Sequence, residues 1–147
     1  MNIHNFKIFI TVKGDENQYA RWLFDTWKEK AKSLNFIGFV TKETLFNYYE
    51  QCSCLIFPSK VETWGLPISE FANYQKPMLL ADLPYAHETA EGSLKTAFFD
   101  SNSAKQLAQY MSELIAGNQE NYQEVPVKQI SEPLAKDWKS VFEQLLS

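Results

Sequence analysis

The sequence is poor in glycine, cysteine and arginine. Five glycines in 147 residues leave few places for left-handed turns. The two cysteines, Cys52 and Cys54, stand at i and i+2. Residues so placed on a strand share a face but rarely bridge, and two ligands are too few for a zinc site. They read as reduced thiols in a core strand. Thirteen of the fourteen bases are lysine, Arg21 is the only arginine, and the net charge is −4. A duplex-binding surface should be basic, so nucleic acid is excluded as the main partner. No apolar run approaches the roughly 18–20 residues of a membrane span. The opening MNIHNFKIFITV has one lysine and no small-residue cleavage site before Lys13, so no signal peptide is expected.

What the chain has in excess is aromatic surface: eleven Phe, seven Tyr and four Trp. These bury large areas, and part of that area suits a face covered by another domain or subunit. Apolar and charged fractions of 45% and 22% are ordinary globular values and exclude disorder. The length suits one domain over residues 1–147.

Apolar periodicity alternates between strand and helix. Residues 6–12 (FKIFITV) predict a strand, and Ala20, Leu23, Trp27, Ala31 and Leu34 predict a helix over 17–34. A short strand follows at 35–39. Thr41 is the N-cap of a helix carrying Leu45, Tyr48 and Tyr49. Residues 53–57 form an apolar strand stopped by Pro58. A loop then leads to a helix starting near Gly65, with Pro67 in its first turn. Residues 77–82 and 95–99 predict two more strands, with a short helix through His87 between them. Ser101 or Ser103 caps a helix stopped at Gly117, and 118–128 read as loop. A last helix, about 133–146, is expected to pack back on the domain through Trp138, Val141, Phe142 and Leu145. This alternation predicts an α/β, Rossmann-like, three-layer αβα fold with a mainly parallel sheet of about five strands.

Ligands of open α/β sheets bind beyond the carboxyl ends of the strands. The richest such segment is 58–70, PSKVETWGLPISE. Glu62 precedes a helix and Glu70 lies in its opening turns, with seven residues between them. Carboxylates accept hydrogen bonds from sugar hydroxyls, and a helix start favours phosphate. Acids near a helix start also favour its dipole without any ligand. Asp82 reads as a turn former and His87 as a helix-surface residue. Ser59 has no evident histidine partner for a hydrolase triad.

Glu62-x7-Glu70, set in PSKVETWGLPISE, resembles the E-x7-E signature of the retaining, family 4-type (group 1) glycosyltransferases of the GT-B fold. NFIGFV, YYEQCSCLIFPS, KPMLLADLPYAHE and AFFD fall in that family's order and spacing, so the likeness covers roughly residues 6–117. Trp138 is similar to the tryptophan of the closing helix. The resemblance implies the C-terminal, donor-binding domain of two Rossmann-like domains that face across a cleft. Its partners would be a nucleoside diphosphate sugar and a glycan or lipid-linked acceptor. Carried over by position, Glu70 would bind the ribose and Glu62 would act beside the donor sugar. Trp64, Gly65 and Leu66 would line the sugar and diphosphate, Val40 would lie near the base, and Ser59 would orient the loop. No metal or other cofactor is expected. The implied location is the cytoplasm, or the inner face of the membrane.

The sequence departs from the family pattern ahead of Phe6. The family has a further strand and helix there, carrying an arginine and a lysine that clamp the diphosphate, and an acceptor domain before them. Lys13 and Lys60 are the nearest substitutes. The sheet is then expected to pair differently, or to have its gap filled by another chain. Two further readings stay open: a non-catalytic or truncated nucleotide-sugar-binding module, and an interaction domain of a homo-oligomer or larger complex.

Overall fold

The computed structural model describes residues 6–129, 135 and 137–146. The chain opens with β1 (Ile8–Ile10), α1 (Gln18–Trp27) and β2 (Leu34–Phe36). Helix α1 starts where the Asn17 side chain accepts the Ala20 N–H at 2.9 Å. It ends at Trp27, well short of Leu34. Residues 28–33, KEKAKS, offer little apolar surface to hold further turns against the sheet. Leu34 instead begins β2, paired in parallel with Ile8. Phe24 meets the Phe36 ring edge-on at 5.1 Å and so seats α1 on this strand pair.

The rest is α2 (Lys42–Gln51), β3 (Leu55–Phe57), α3 (Leu66–Ala72), β4 (Met78–Ala81), α4 (Pro84–Thr89), β5 (Thr96–Phe99), α5 (Ala104–Ile115) and α6 (Trp138–Leu146). Thr41 caps α2, and of the two serines considered for α5 it is Ser103 that caps it. The α/β, Rossmann-like class holds, and each strand runs parallel to its neighbours. Hydrogen bonding divides the strands into two sheets, β1-β2 and β3-β4-β5.

The three-stranded sheet holds the core. Met78, Leu79, Leu80 and Ala81 are all fully buried. Successive strand side chains point to opposite faces, so this run divides into two sets. Met78 and Leu80 pack with Tyr49, Ile68, Phe71 and Ala86 from α2, α3 and α4, and with Ala90 at the end of α4. Leu79 and Ala81 join Ala97 and Phe99, against Leu107, Tyr110 and Met111 of α5. A continuous apolar strand is what a parallel sheet covered on both faces requires.

Two features were not expected from the sequence. The polar stretch 118–128 lies along β5. Gln123 exchanges both backbone hydrogen bonds with Thr96 at 2.9 Å, and Val125 is buried beside Ser93. This covers an otherwise unpaired sheet edge. The second is Lys76, whose ammonium donates to the carbonyls of Tyr49 at 2.9 Å and Cys52 at 3.0 Å, and also to that of Glu50. These are carbonyls at the end of α2, where helical partners run out and positive charge is favoured. Of the helix expected at about 133–146, residues 133, 134 and 136 lie outside those described. Along α6, Trp138, Phe142, Leu145 and Leu146 are exposed. Among the described residues no helix is long and apolar enough to cross a membrane.

Lys76→Met is expected to cost about 1.5–3 kcal/mol, the usual worth of hydrogen bonds to a charged group. It should lower the urea midpoint without changing the slope of the transition. A second prediction concerns alkali. Burial pushes the Cys54 thiol up to about 12, from an ordinary value of 9.0. Between those values the unfolded chain has lost a proton that the folded chain keeps. Stability is therefore full below about 9 and falls as pH rises toward 12. Cys54→Ala should flatten that fall, measured as Tm against pH.

Candidate functional site

Because neighbouring strands run parallel, the loops that follow them leave each sheet at its carboxyl edge. The loop after β3, residues 58–65, carries Ser59, Glu62, Trp64 and Gly65 and runs directly into α3 with Leu66 and Glu70. Its side chains face outward: Val61 is 90% exposed, and Glu62, Trp64 and Leu66 are exposed too. Ser59 Oγ donates to the Val61 carbonyl at 2.9 Å and closes a local turn. The Glu62 carboxylate accepts the Thr63 N–H at 3.0 Å. One such bond leaves most of its acceptor capacity open.

Gly65 turns the loop into the helix. Its backbone is left-handed, with φ 81° and ψ 43°, and Pro67 follows in the first turn. A Cβ there would meet Ile68 at 3.2 Å and the Tyr85 ring at 3.3 Å. The missing side chain therefore faces the protein's own packing: the left-handed conformation favours glycine, and a Cβ would make Ile68 and the Tyr85 ring give way by a few tenths of an ångström.

Glu70 is largely shielded, and its carboxylate pairs with the Lys42 ammonium at 3.3 Å. Lys42 opens α2, two residues after Val40, so the pair ties the segment after β2 to α3. The Glu70 charge also acts on Tyr49 below it. Burial first, and that charge second, push the Tyr49 phenol up to about 12.

The two lysines considered as phosphate cations are both engaged. Lys60 donates to Asn102 Oδ1 at 2.7 Å, beyond β5. Lys13 pairs with Asp15 at 2.9 Å on the exposed loop after β1. In that same loop the Glu16 carboxylate accepts the N–H groups of Lys13 at 2.6 Å and Gly14 at 2.8 Å. Asp82 Oδ1 accepts a hydrogen bond from His87 Nε2 at 2.7 Å, and the imidazole stacks on Phe98 at 3.9 Å. Among the described residues no group of three or more His, Cys, Asp or Glu could hold a metal ion.

Sequence reasoning missed the residues that hold this loop. Tyr85 Oη donates to the Ser59 carbonyl at 2.6 Å. Thr89 Oγ1 donates to the carbonyl of Trp64, with the Tyr85 carbonyl 2.8 Å away as an alternative acceptor. A signal was present for one of them. Thr89 lies beside Ala86 and Ala90 on the buried side of a short helix, and a buried hydroxyl needs a partner.

A family model described as Glycosyl transferases group 1 matches residues 4–130. No curated protein matches the chain, and no solved structure does.

Gly65→Ala tests the turn. Gly117 has the same φ of 81° with nothing within 4 Å of its added Cβ, so Gly117→Ala isolates the backbone cost. That cost is about 1–2 kcal/mol. Gly65→Ala should lose clearly more, read as the difference in urea midpoint between the two variants.

Proposed function

This chain belongs to the group 1 glycosyl transferases, and from that premise we propose that it is the donor-binding half of a retaining enzyme of the GT-B fold. Membership brings the family's general function, glycosyl transfer with nucleotide-sugar binding. The finer reading is that a hexose passes from a nucleoside diphosphate sugar to a glycan or lipid-linked acceptor. One observation carries it. Glu62 and Glu70 stand on either side of a single loop-to-helix turn after β3, inside the matched span.

In this reading Glu70 accepts hydrogen bonds from two ribose hydroxyls. It must first release Lys42, which is 73% exposed at its side chain. A pair with so exposed a partner is worth about 0–1 kcal/mol, whereas hydrogen bonds to a charged acceptor are worth about 1.5–3 kcal/mol. The exchange therefore favours the ribose. Glu62, with open acceptor positions, faces the donor sugar and stabilises positive charge developing at the reacting carbon. Its role is electrostatic rather than nucleophilic. Trp64, Gly65 and Leu66 line the sugar and diphosphate, Val40 borders the base, and Ser59 shapes the loop. No metal takes part.

A second reading, a module that binds nucleotide sugar without turning it over, is favoured by one observation. The charge of Lys13 is offset by Asp15 beside it, so of these two lysines Lys60 alone brings an unpaired charge, and its ammonium already donates to Asn102. Turnover by the chain joined to an acceptor domain separates the two readings, since catalysis needs the acceptor held at the reacting carbon.

Glu70→Ala is expected to weaken binding of the nucleotide sugar by about 10- to 150-fold. Glu70→Gln should lose less, because one acceptor oxygen remains. The measurement is ligand-observed NMR with UDP, GDP and ADP sugars on wild type and both variants. Wild-type affinity in either variant would remove Glu70 from the site.

A further inference from the structure

The loop 59–65 presents a problem of order. It is exposed along most of its length, and its internal side-chain bonds span one or two residues. A segment with so few buried contacts has little local stability of its own. Yet a carboxylate that acts on one atom of a ligand must be held to within a fraction of an ångström.

We propose that Tyr85 and Thr89 are positioning residues: α4 grips both ends of this loop and thereby sets where Glu62 stands. The proposal rests on the reading of Glu62 given above. The two hydroxyls are one helical turn apart, so they share a side of α4. One reaches the carbonyl of Ser59 at the start of the loop, and the other reaches that of Trp64 near its end. Glu62 lies between these anchors, three residues after the first and two before the second.

The grip is only as firm as α4, and α4 is well seated. Ala86 and Ala90 are fully buried in the core beneath it. The Tyr85 ring meets Phe57 of β3 edge-on at 6.4 Å and lies against Gly65. Its phenol is pushed above the ordinary tyrosine value, first by burial and second by the Glu62 charge, so that carboxylate lies within electrostatic reach. A chain of contacts thus runs from the buried sheet through α4 to two loop carbonyls and then to Glu62. Thr89 adds a refinement. A hydroxyl has one hydrogen, so it serves either Trp64 or the Tyr85 carbonyl of its own helix. The helix carbonyl is the usual partner of a helical threonine. Loss of the Trp64 bond therefore leaves the hydroxyl satisfied by the carbonyl of its own helix.

The test uses Tyr85→Phe, Thr89→Val and the conservative Thr89→Ser. Backbone order is read as NMR order parameters at residues 59–65, and amide exchange at Met78–Ala81 serves as a control. Binding is read as the ratio of affinities for a UDP, GDP or ADP sugar and for the matching nucleoside diphosphate. The expected result is a drop of the loop order parameters toward the flexible range, below about 0.6, for Tyr85→Phe and Thr89→Val. Exchange in β4 should be unchanged, and Thr89→Ser should resemble wild type. The sugar-to-diphosphate affinity ratio should drop about fivefold, the worth of one hydrogen bond, because only the sugar meets Glu62. Unchanged loop order in both variants would overturn the proposal. So would faster exchange in β4, since that marks a purely structural role. Failure of the wild type to bind any nucleotide sugar would defeat the donor-site reading, while loop order would still decide whether α4 holds the loop.

Discussion

Burial of β4 on both faces and both edges is the constraint from which the rest follows. Met78, Leu79, Leu80 and Ala81 have no exposed surface, and β3 and β5 flank them in parallel. A strand in that position has no solvent face, so every residue must be apolar and both layers must be supplied by helices. Parallel pairing forbids hairpins and forces each connection through a crossover. The loops at the carboxyl edge then gather by topology alone. That is how Pro58, Asp82 and Asp100, distant in sequence, come to open three neighbouring loops.

Topology gathers the loops, but polar contacts arrange them. The loop after β3 is bound to α4 through Tyr85 and Thr89, and to the segment after β5 through Lys60 and Asn102. Helix α3 is bound to the start of α2 through Glu70 and Lys42. Gly65 suits this network, because its backbone is left-handed and a Cβ there would crowd Ile68 and the Tyr85 ring that holds the loop. The exposed ion pairs contribute little stability. Their effect is to select one arrangement of groups that the core leaves free.

Local chemistry was legible in the sequence, and long-range chemistry was not. Thr41, Ser103 and Gly117 marked helix ends through capping rules that act over three or four residues. The alternation of strand and helix patterns announced a parallel sheet covered on both faces, which the buried β4 now shows. Helix α1 was drawn too long because its spacing continued to Leu34, which β2 claims through pairing with Ile8, 26 residues away. The return of Gln123 and Val125 to β5 left no pattern, since the need lies in the strand edge and not in the covering residues. In the candidate site, Glu62 and Glu70 were proposed from type and spacing. Tyr85 was not, for its hydroxyl answers a carbonyl 26 residues earlier and nothing local requires it. Lys76 was hidden for the same reason.

The division of the strands into two sheets has a thermodynamic side. Between residues 6 and 48 only Ala20 and Gly38 are buried among the described residues, whereas most of the core lies from Tyr49 onward. Burial sets the free energy of local opening, so β1, α1 and β2 form a weaker cooperative unit than β3, β4 and β5. Helix α2 joins them, with Tyr48 against Phe9 of the weak unit at 4.9 Å and Tyr49 edge-on to Phe71 of the strong one at 5.3 Å. A ligand touching both Val40 and Glu70 bridges this seam. Its binding energy acts on the folded form of both units at once. The strong unit gains little it lacked, and the weak unit gains cooperativity. Occupancy of the site would thus merge two unfolding transitions into one.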